Sequence, residues 1–414
     1  MEQIKEKADY CLNCKTKPCA IKGCPIQTEI PEFIEQIKND NIKEAYNILQ
    51  ENNICSYVCS LVCPQEEQCE GSCVRAVKTE ATHIGELEKF VNEWAIENNY
   101  EYEIIKKELN GKKVAVIGSG PAGIIVSYEL LKNGFEVEMY EKDSLLGGIL
   151  VYGIPDFRLS KDKVQAIFEK LKKLGLKTYT NQELGKNFSL EEISNKYDAV
   201  FLGIGAQKST VYTLNEDCAE GIYKSDDFLK AYNENKYIKD LGTVVVIGGG
   251  NVAMDSARAA VKMGAKEVKI LYRRDRAHMP AREVELDEAL EDGVIFNELV
   301  RVASANYEDG KMVSVNCVRT EIVDGKAVDS KTGDEFIEEA NTVVFAIGLK
   351  PNKNLLETEG VKLDDWGYIE INEDGRTNIE NVYAGGDVTE SKSTVCRALA
   401  AGKKAAKGII KNIK

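Results

Sequence analysis

Residues 114–142 read "VAVIGSGPAGIIVSYELLKNGFEVEMYEK". The apolar, β-branched start predicts a strand over about 114–117. The glycine cluster ends it, a helix follows, and "FEVEMY" predicts a second strand. Each glycine has its own task in that order. Gly118 permits the tight turn, Gly120 lets the backbone approach a pyrophosphate, and Gly123 lets the helix pack on the strand. The helix N-terminus turns its unpaired N–H groups toward the phosphates. Glu141, 23 residues after Gly118, stands where a carboxylate accepts from a ribose hydroxyl. A glycine pattern alone reads as a turn; strand, glycines, helix, strand and acid in order predict a dinucleotide fold.

The same grammar recurs at 243–275, "TVVVIGGGNVAMDSARAAVKMGAKEVKILYRRD", with Gly248 and Gly250, and Ala253 in the third glycine's place. Where the first copy has Glu141, this one has Arg273 and Arg274. A carboxylate repels a 2'-phosphate and a guanidinium fork pairs with it, so the second site reads as NADP rather than NAD. The alternative is a solvated arginine pair bridging the "DRAHMPAREVE" that follows. Two such folds in one chain suggest FAD in the first and NADPH in the second, with hydride passing between them. "NVYAGGDV", 381–388, adds Gly386 and Asp387 at an expected strand end, where Asp387 can bond a flavin's ribityl chain. The FAD domain is thereby expected to be split, with the NADPH domain inserted.

The 414 residues provide for two or three domains. A net charge of -14 argues against nucleic acid and anionic lipid as partners. "MEQIKEKADY" lacks the apolar core of a signal peptide and no run reaches the length of a membrane helix, so a cytoplasmic protein is expected. In that compartment clustered cysteines are metal ligands or redox catalysts. Nine of the twelve lie within the first 73 residues, while Cys218, Cys317 and Cys396 stand alone and read as buried packing residues. This leading region reads as helical, with "IPEFIEQIKNDNIKEAYNILQ" at helical spacing after the candidate cap Thr28. Cys11, Cys14, Cys19 and Cys24 form C-x2-C-x4-C-x4-C-P, close to the ferredoxin run whose fourth cysteine serves the other cluster. Two clusters with interleaved ligands are expected, and structural zinc is the alternative that iron content decides.

Together "CLNCKTKPC", "GCP", "VCPQEEQCEGSCV", "IGELEKFV", "GSGPAG", "GGILVYGIPDFRL", "GGGNVAMD", "YRRDRAHMPA" and "AGGDV" span nearly the whole chain. In them the chain resembles the small subunits of NADPH-dependent glutamate synthase. Related to these are the flavin and iron-sulfur part of dihydropyrimidine dehydrogenase and the large subunit of the bifurcating ferredoxin:NADP transhydrogenase. The resemblance implies FAD, NADPH and two 4Fe-4S clusters. It places Cys11, Cys14, Cys19 and Cys73 on one cluster and Cys24, Cys63 and Cys69 on the other, with Glu88 of "IGELEKFV" in the fourth position. Cys59 and Cys55 remain available for that position by count. On a helix from about 83 to 97, Glu88 falls at the edge of the apolar arc of Ile84, Leu87, Phe90, Val91, Trp94 and Ala95, a border where a solvated glutamate is also ordinary. For FAD the resemblance implies Gly118, Gly120, Pro121, Ala122, Gly123, Glu141, Gly148, Ile149, Arg158, Gly386, Asp387 and Thr394. For NADPH it implies Gly248, Gly249, Gly250, Asn251, Val252, Arg273, Arg274, Ala346 and Gly348.

The expected organisation is α/β: a helical iron-sulfur domain at 1–110, then two Rossmann-like domains of the pyridine nucleotide-disulfide oxidoreductase kind. The FAD domain takes 111–206 and 342–414, and the NADPH domain 207–341. A self-contained flavin disulfide reductase has the same layout but needs a cysteine pair facing the flavin, and neither glycine segment contains one. Electrons are therefore expected to leave through the clusters to a partner subunit, with no side-chain acid or base required. That partner is the glutamate synthase large subunit or, in the alternative, the pyrimidine-reducing or transhydrogenating counterpart.

Overall fold

The fold was analysed as a computed structural model, which describes residues 2–214, 220–392 and 394–413. The chain divides into two compact units: 1–150, 158–206 and 351–414 in the first, 151–157 and 207–350 in the second. Cys218 lies outside the described residues.

In the first unit, strand Lys113–Ile117 forms the centre of a five-stranded parallel sheet. Glu136–Tyr140 and Lys177–Tyr179 follow on one side, Ala199–Leu202 and Val382–Ala384 on the other. Central strands buried on both faces read as continuous apolar runs. Val114, Ala115 and Val116 are accordingly inaccessible to solvent, as are Ala199 to Leu202. Helix Pro121–Lys132 leaves the glycine loop, and helix Val395–Asn412 lies against it at Gly402, where a Cβ would meet the Ala122 carbonyl at 2.6 Å.

The cysteine-rich region is part of this same unit. Its helices Glu2–Asp9, Ile30–Lys38, Ile42–Asn52, Ser56–Val62 and Ile84–Glu97 enclose Phe33, Ile34, Leu49, Leu87 and Val91. Each such side chain contributes roughly 1.5–3 kcal/mol through burial. Tyr128 of the glycine helix donates to the Gln50 carbonyl at 3.0 Å, tying the region to the sheet. The expected cap is corrected here. Helix Ile30–Lys38 begins after Glu29 with Pro31 in its first turn and has no side-chain cap, while Thr28 is buried beside Cys24, Oγ1 to Sγ 3.5 Å. "KNDN" also breaks the helical run, because Asp40 takes a left-handed φ of 57° between the two helices.

The second unit repeats the parallel sheet, in the order Ile222–Lys224, Thr342–Phe345, Thr243–Ile247, Glu267–Tyr272, Ile295–Glu298. It runs to Lys350, past the 341 read from sequence, because Thr342–Phe345 pairs with the strand of the second glycine loop. Val300–Glu308, Lys311–Val323, Lys326–Asp329 and Glu335–Glu339 add an antiparallel sheet that the sequence reading did not foresee.

Candidate functional site

The first glycine loop is shaped by what has no room and what has. A Cβ on Gly118, at φ +100°, would lie 2.4 Å from the Gly203 carbonyl, and one on Gly123 would lie 2.1 Å from the Gly118 carbonyl. A Cβ on Gly120 would meet nothing within 4 Å, which leaves the space a pyrophosphate needs beside the helix N-terminus formed by Pro121 and Ala122. Glu141 is buried and turned onto this loop. It accepts from the Ser119 amide at 3.1 Å, from the Ser119 hydroxyl, and from the Asp143 amide at 2.9 Å. Ser119 in turn accepts from the Gly147 amide at 2.8 Å, so it fastens the acid to the "GG" turn that leads to Gly148 and the exposed Ile149. Ser119 lies inside the glycine stretch read from sequence, but its role as the link between Glu141 and Gly147 was not read there. Arg158 and Asp387 are half-buried, Gly386 has a φ of +83°, and the Thr394 hydroxyl caps helix Val395–Asn412 by accepting from the Arg397 amide.

The second loop repeats the geometry. A Cβ on Gly248 would meet the Ala346 carbonyl at 2.3 Å and one on Gly249 the Tyr272 ring at 2.4 Å, while beside Gly250 the nearest atom is Pro280 Cγ at 4.0 Å. Asn251 and Val252 open the helix Asn251–Lys262, and Asn251 accepts from the Arg282 amide at 2.9 Å. Gly348 has a φ of +108°. Arg273 and Arg274 follow strand Glu267–Tyr272, their carbonyls held by Thr320 Oγ1 at 2.8 Å and Leu299 N at 3.0 Å. It is Arg276, not either of these, that pairs with Glu283 and Asp287. Arg273 is exposed, and Arg274 is half-buried beside Tyr272.

Eight of the nine leading cysteines line one or other of two cavities. One is lined by Cys11, Cys14, Cys19 and Cys73 with Arg75 and Thr82. Burial pushes the Cys19 thiol up to about 11 and raises that of Cys11. It also opposes ionisation of Cys73, but hydrogen bonds from Thr82 and neighbouring amides outweigh it and bring that thiol down. Among the described residues no three of these four sulfurs lie within 4.8 Å of one another.

The other cavity is lined by Cys24, Cys63, Cys69 and Glu88, together with Cys59 and Cys396. Glu88 lies on helix Ile84–Glu97 and is buried, so it is not the solvated border glutamate that the helical arc also allowed. Burial, and then the neighbouring sulfurs of Cys24 and Cys396, hold its carboxyl well above the usual range. Cys55 does not line this cavity; it is buried in apolar surroundings that raise its thiol to about 12. Cys396 corrects the sequence reading. It is buried as expected, but it is not isolated, because its sulfur lies within 4.8 Å of those of Cys59 and Cys63.

Residues 112–405 match the family described as pyridine nucleotide-disulphide oxidoreductase, and residues 1–100 that described as dihydropyrimidine dehydrogenase domain II, 4Fe-4S cluster. The chain is 34% identical over 432 residues to the glutamate synthase [NADPH] small chain of Escherichia coli (strain K12), across 99% of this chain and 91% of that one. The chain belongs to the glutamate synthase small-chain family. A member of this family is an enzyme, an oxidoreductase. The NADPH-Fe(3+) oxidoreductase subunit beta of Geobacter sulfurreducens is 31% identical over 95% of this chain and 63% of its own length. Among solved structures, Mycobacterium tuberculosis FprA in complex with NADPH aligns with a TM-score of 0.62 at 22% identity, over 73% of this chain and 84% of that one. The latter likeness establishes the fold of this small-chain relative. Among its described residues, no helix is long and apolar enough to cross a membrane.

Proposed function

We propose that this chain takes electrons from NADPH and passes them through FAD and two 4Fe-4S clusters to a partner subunit, in the manner of a glutamate synthase small subunit in the cytoplasm. When bound, FAD accepts hydride from the nicotinamide, and the clusters carry the electrons onward singly. The residues supply binding and placement. Gly120 and Gly250 leave room for the two pyrophosphates, Glu141 orients the ribose of FAD, and Arg273 and Arg274 select the 2'-phosphate of NADPH. Cys11, Cys14, Cys19 and Cys73 hold one cluster; Cys24, Cys63, Cys69 and Glu88 hold the other. The observation that carries this reading is the sorting of interleaved cysteines into two separate cavities.

The purified chain is expected to contain flavin and about eight irons, four per cluster. It should reduce a tetrazolium dye with NADPH. Stoichiometric zinc in place of iron would overturn the reading. Glu88→Ala should alter one cluster's electron paramagnetic resonance signal while flavin stays bound; an unchanged spectrum removes Glu88 from the ligand set. Co-purification from native cells identifies the partner. A glutaminase with a flavin barrel fits glutamate synthase, and a barrel alone or a small iron-sulfur flavoprotein points to the pyrimidine-reducing or transhydrogenating relatives.

A further inference from the structure

Five cysteines and one glutamate line the second cavity, Cys24, Cys59, Cys63, Cys69, Cys396 and Glu88, whereas a four-iron cluster takes four ligands. Ligands to different irons stand at the corners of a cube and are farther apart than ligands sharing one ion. Cys59, Cys63 and Cys396 lie within 4.8 Å of one another, so this trio can supply only one corner. Cys63 is the member in register with Cys69 and Cys73 in "CPQEEQCEGSC". The sulfurs of the other two are left beside a ligand sulfur.

We infer that Cys396, with Cys59, donates an S–H hydrogen bond to the Cys63 sulfur and so raises the reduction potential of the second cluster. This rests on the cluster assignment above. The Cys396 sulfur lies within 4.8 Å of those of Cys63 and Cys59, and Cys24 lines the same cavity. Its place is fixed from both sides: it lies in the first turn of helix Val395–Asn412, whose cap Thr394 receives the Gln68 side-chain amide at 3.3 Å. Gln68 itself lines the cavity. Cys59 is held by Asn53, whose side-chain amide donates to its sulfur at 3.3 Å. A donor aimed at a ligand sulfur stabilises the more negative, reduced state, and hydrogen bonds to sulfur are among the factors that set cluster potentials. Cys396 and Cys59 are thus positioning residues, acting through Cys63.

The test is a redox titration of the whole protein followed by electron paramagnetic resonance, on wild type, Cys396→Ala, Cys396→Ser and Cys59→Ala. Cys396→Ala should keep wild-type iron and flavin and lower the midpoint of one cluster. The shift should be up to a tenfold change in its one-electron equilibrium constant, about 59 mV. Cys396→Ser, which retains a donor, should recover most of the shift, and Cys59→Ala should lower the same midpoint. An unchanged midpoint in Cys396→Ala overturns the inference. So does loss of iron and of one signal, which would make Cys396 a ligand, or zinc bound at the trio. Absence of iron from the wild type would instead defeat the cluster assignment itself.

Discussion

The two glycine loops share one backbone plan and differ at two points. In the first, Gly123 has the Gly118 carbonyl 2.1 Å from where a Cβ would stand; in the second, Ala253 occupies the equivalent place and its real Cβ lies 3.3 Å from the position a Cβ on Gly248 would take. The first loop ends in a buried carboxylate and the second in two arginines. Steric tolerance and charge therefore vary independently of the fold. The plan fixes where a dinucleotide lies; the residue after the second strand fixes which one.

The largest effect expected from this contrast is that of Gly123→Ala. It forces a methyl against backbone that cannot turn aside, and should cost about 3 kcal/mol, the upper end of overpacking, read as a lower urea midpoint. The double change Arg273→Ala/Arg274→Ala should cost roughly 1.5–3 kcal/mol in kcat/KM for NADPH, about 10- to 150-fold, and spare NADH. Equal loss with both nucleotides would remove the charge contrast. Glu141→Gln keeps one accepting oxygen and the fold, and should weaken flavin retention by about 1.5 kcal/mol, or near tenfold in Kd measured by flavin release. Smallest is Ala253→Gly, expected to cost about 1 kcal/mol from helix propensity alone, with no effect on nucleotide choice. If Gly123→Ala costs no more than Ala253→Gly, the steric contrast fails.

Much of this was legible because local rules impose it. Gly118 and Gly248 need positive φ, Glu141 must end its strand, and the cysteine spacing is set by geometry within a few residues. Two readable signals went unused. Asp309-Gly310 and Asp324-Gly325 all have φ between 50 and 77°, the Asp-Gly pairs of tight hairpins, and they close the antiparallel strands that were not foreseen. Thr28 looked like a cap on residue type, yet its hydroxyl is occupied beside Cys24. Cys396 could not be placed by any local rule. It meets Cys59 and Cys63 only because helix Val395–Asn412 returns to the cysteine region, a tertiary fact with no short-range trace.

That helix also sets a timetable for biosynthesis. A chain emerges from the ribosome N-terminus first, but the pairs that close the first unit join Gln68 to Thr394 and Asn52 to Lys403, separations of 326 and 351 residues. Contacts so distant in sequence form late. The nascent cysteines up to Cys73 are made long before the wall bearing Cys396 arrives, and the glycine helix waits equally for the surface that Gly402 opens to it. The residues proposed to hold the second cluster, Cys24, Cys63, Cys69 and Glu88, all precede that wall, so what belongs to the released chain is the closing of the second cavity.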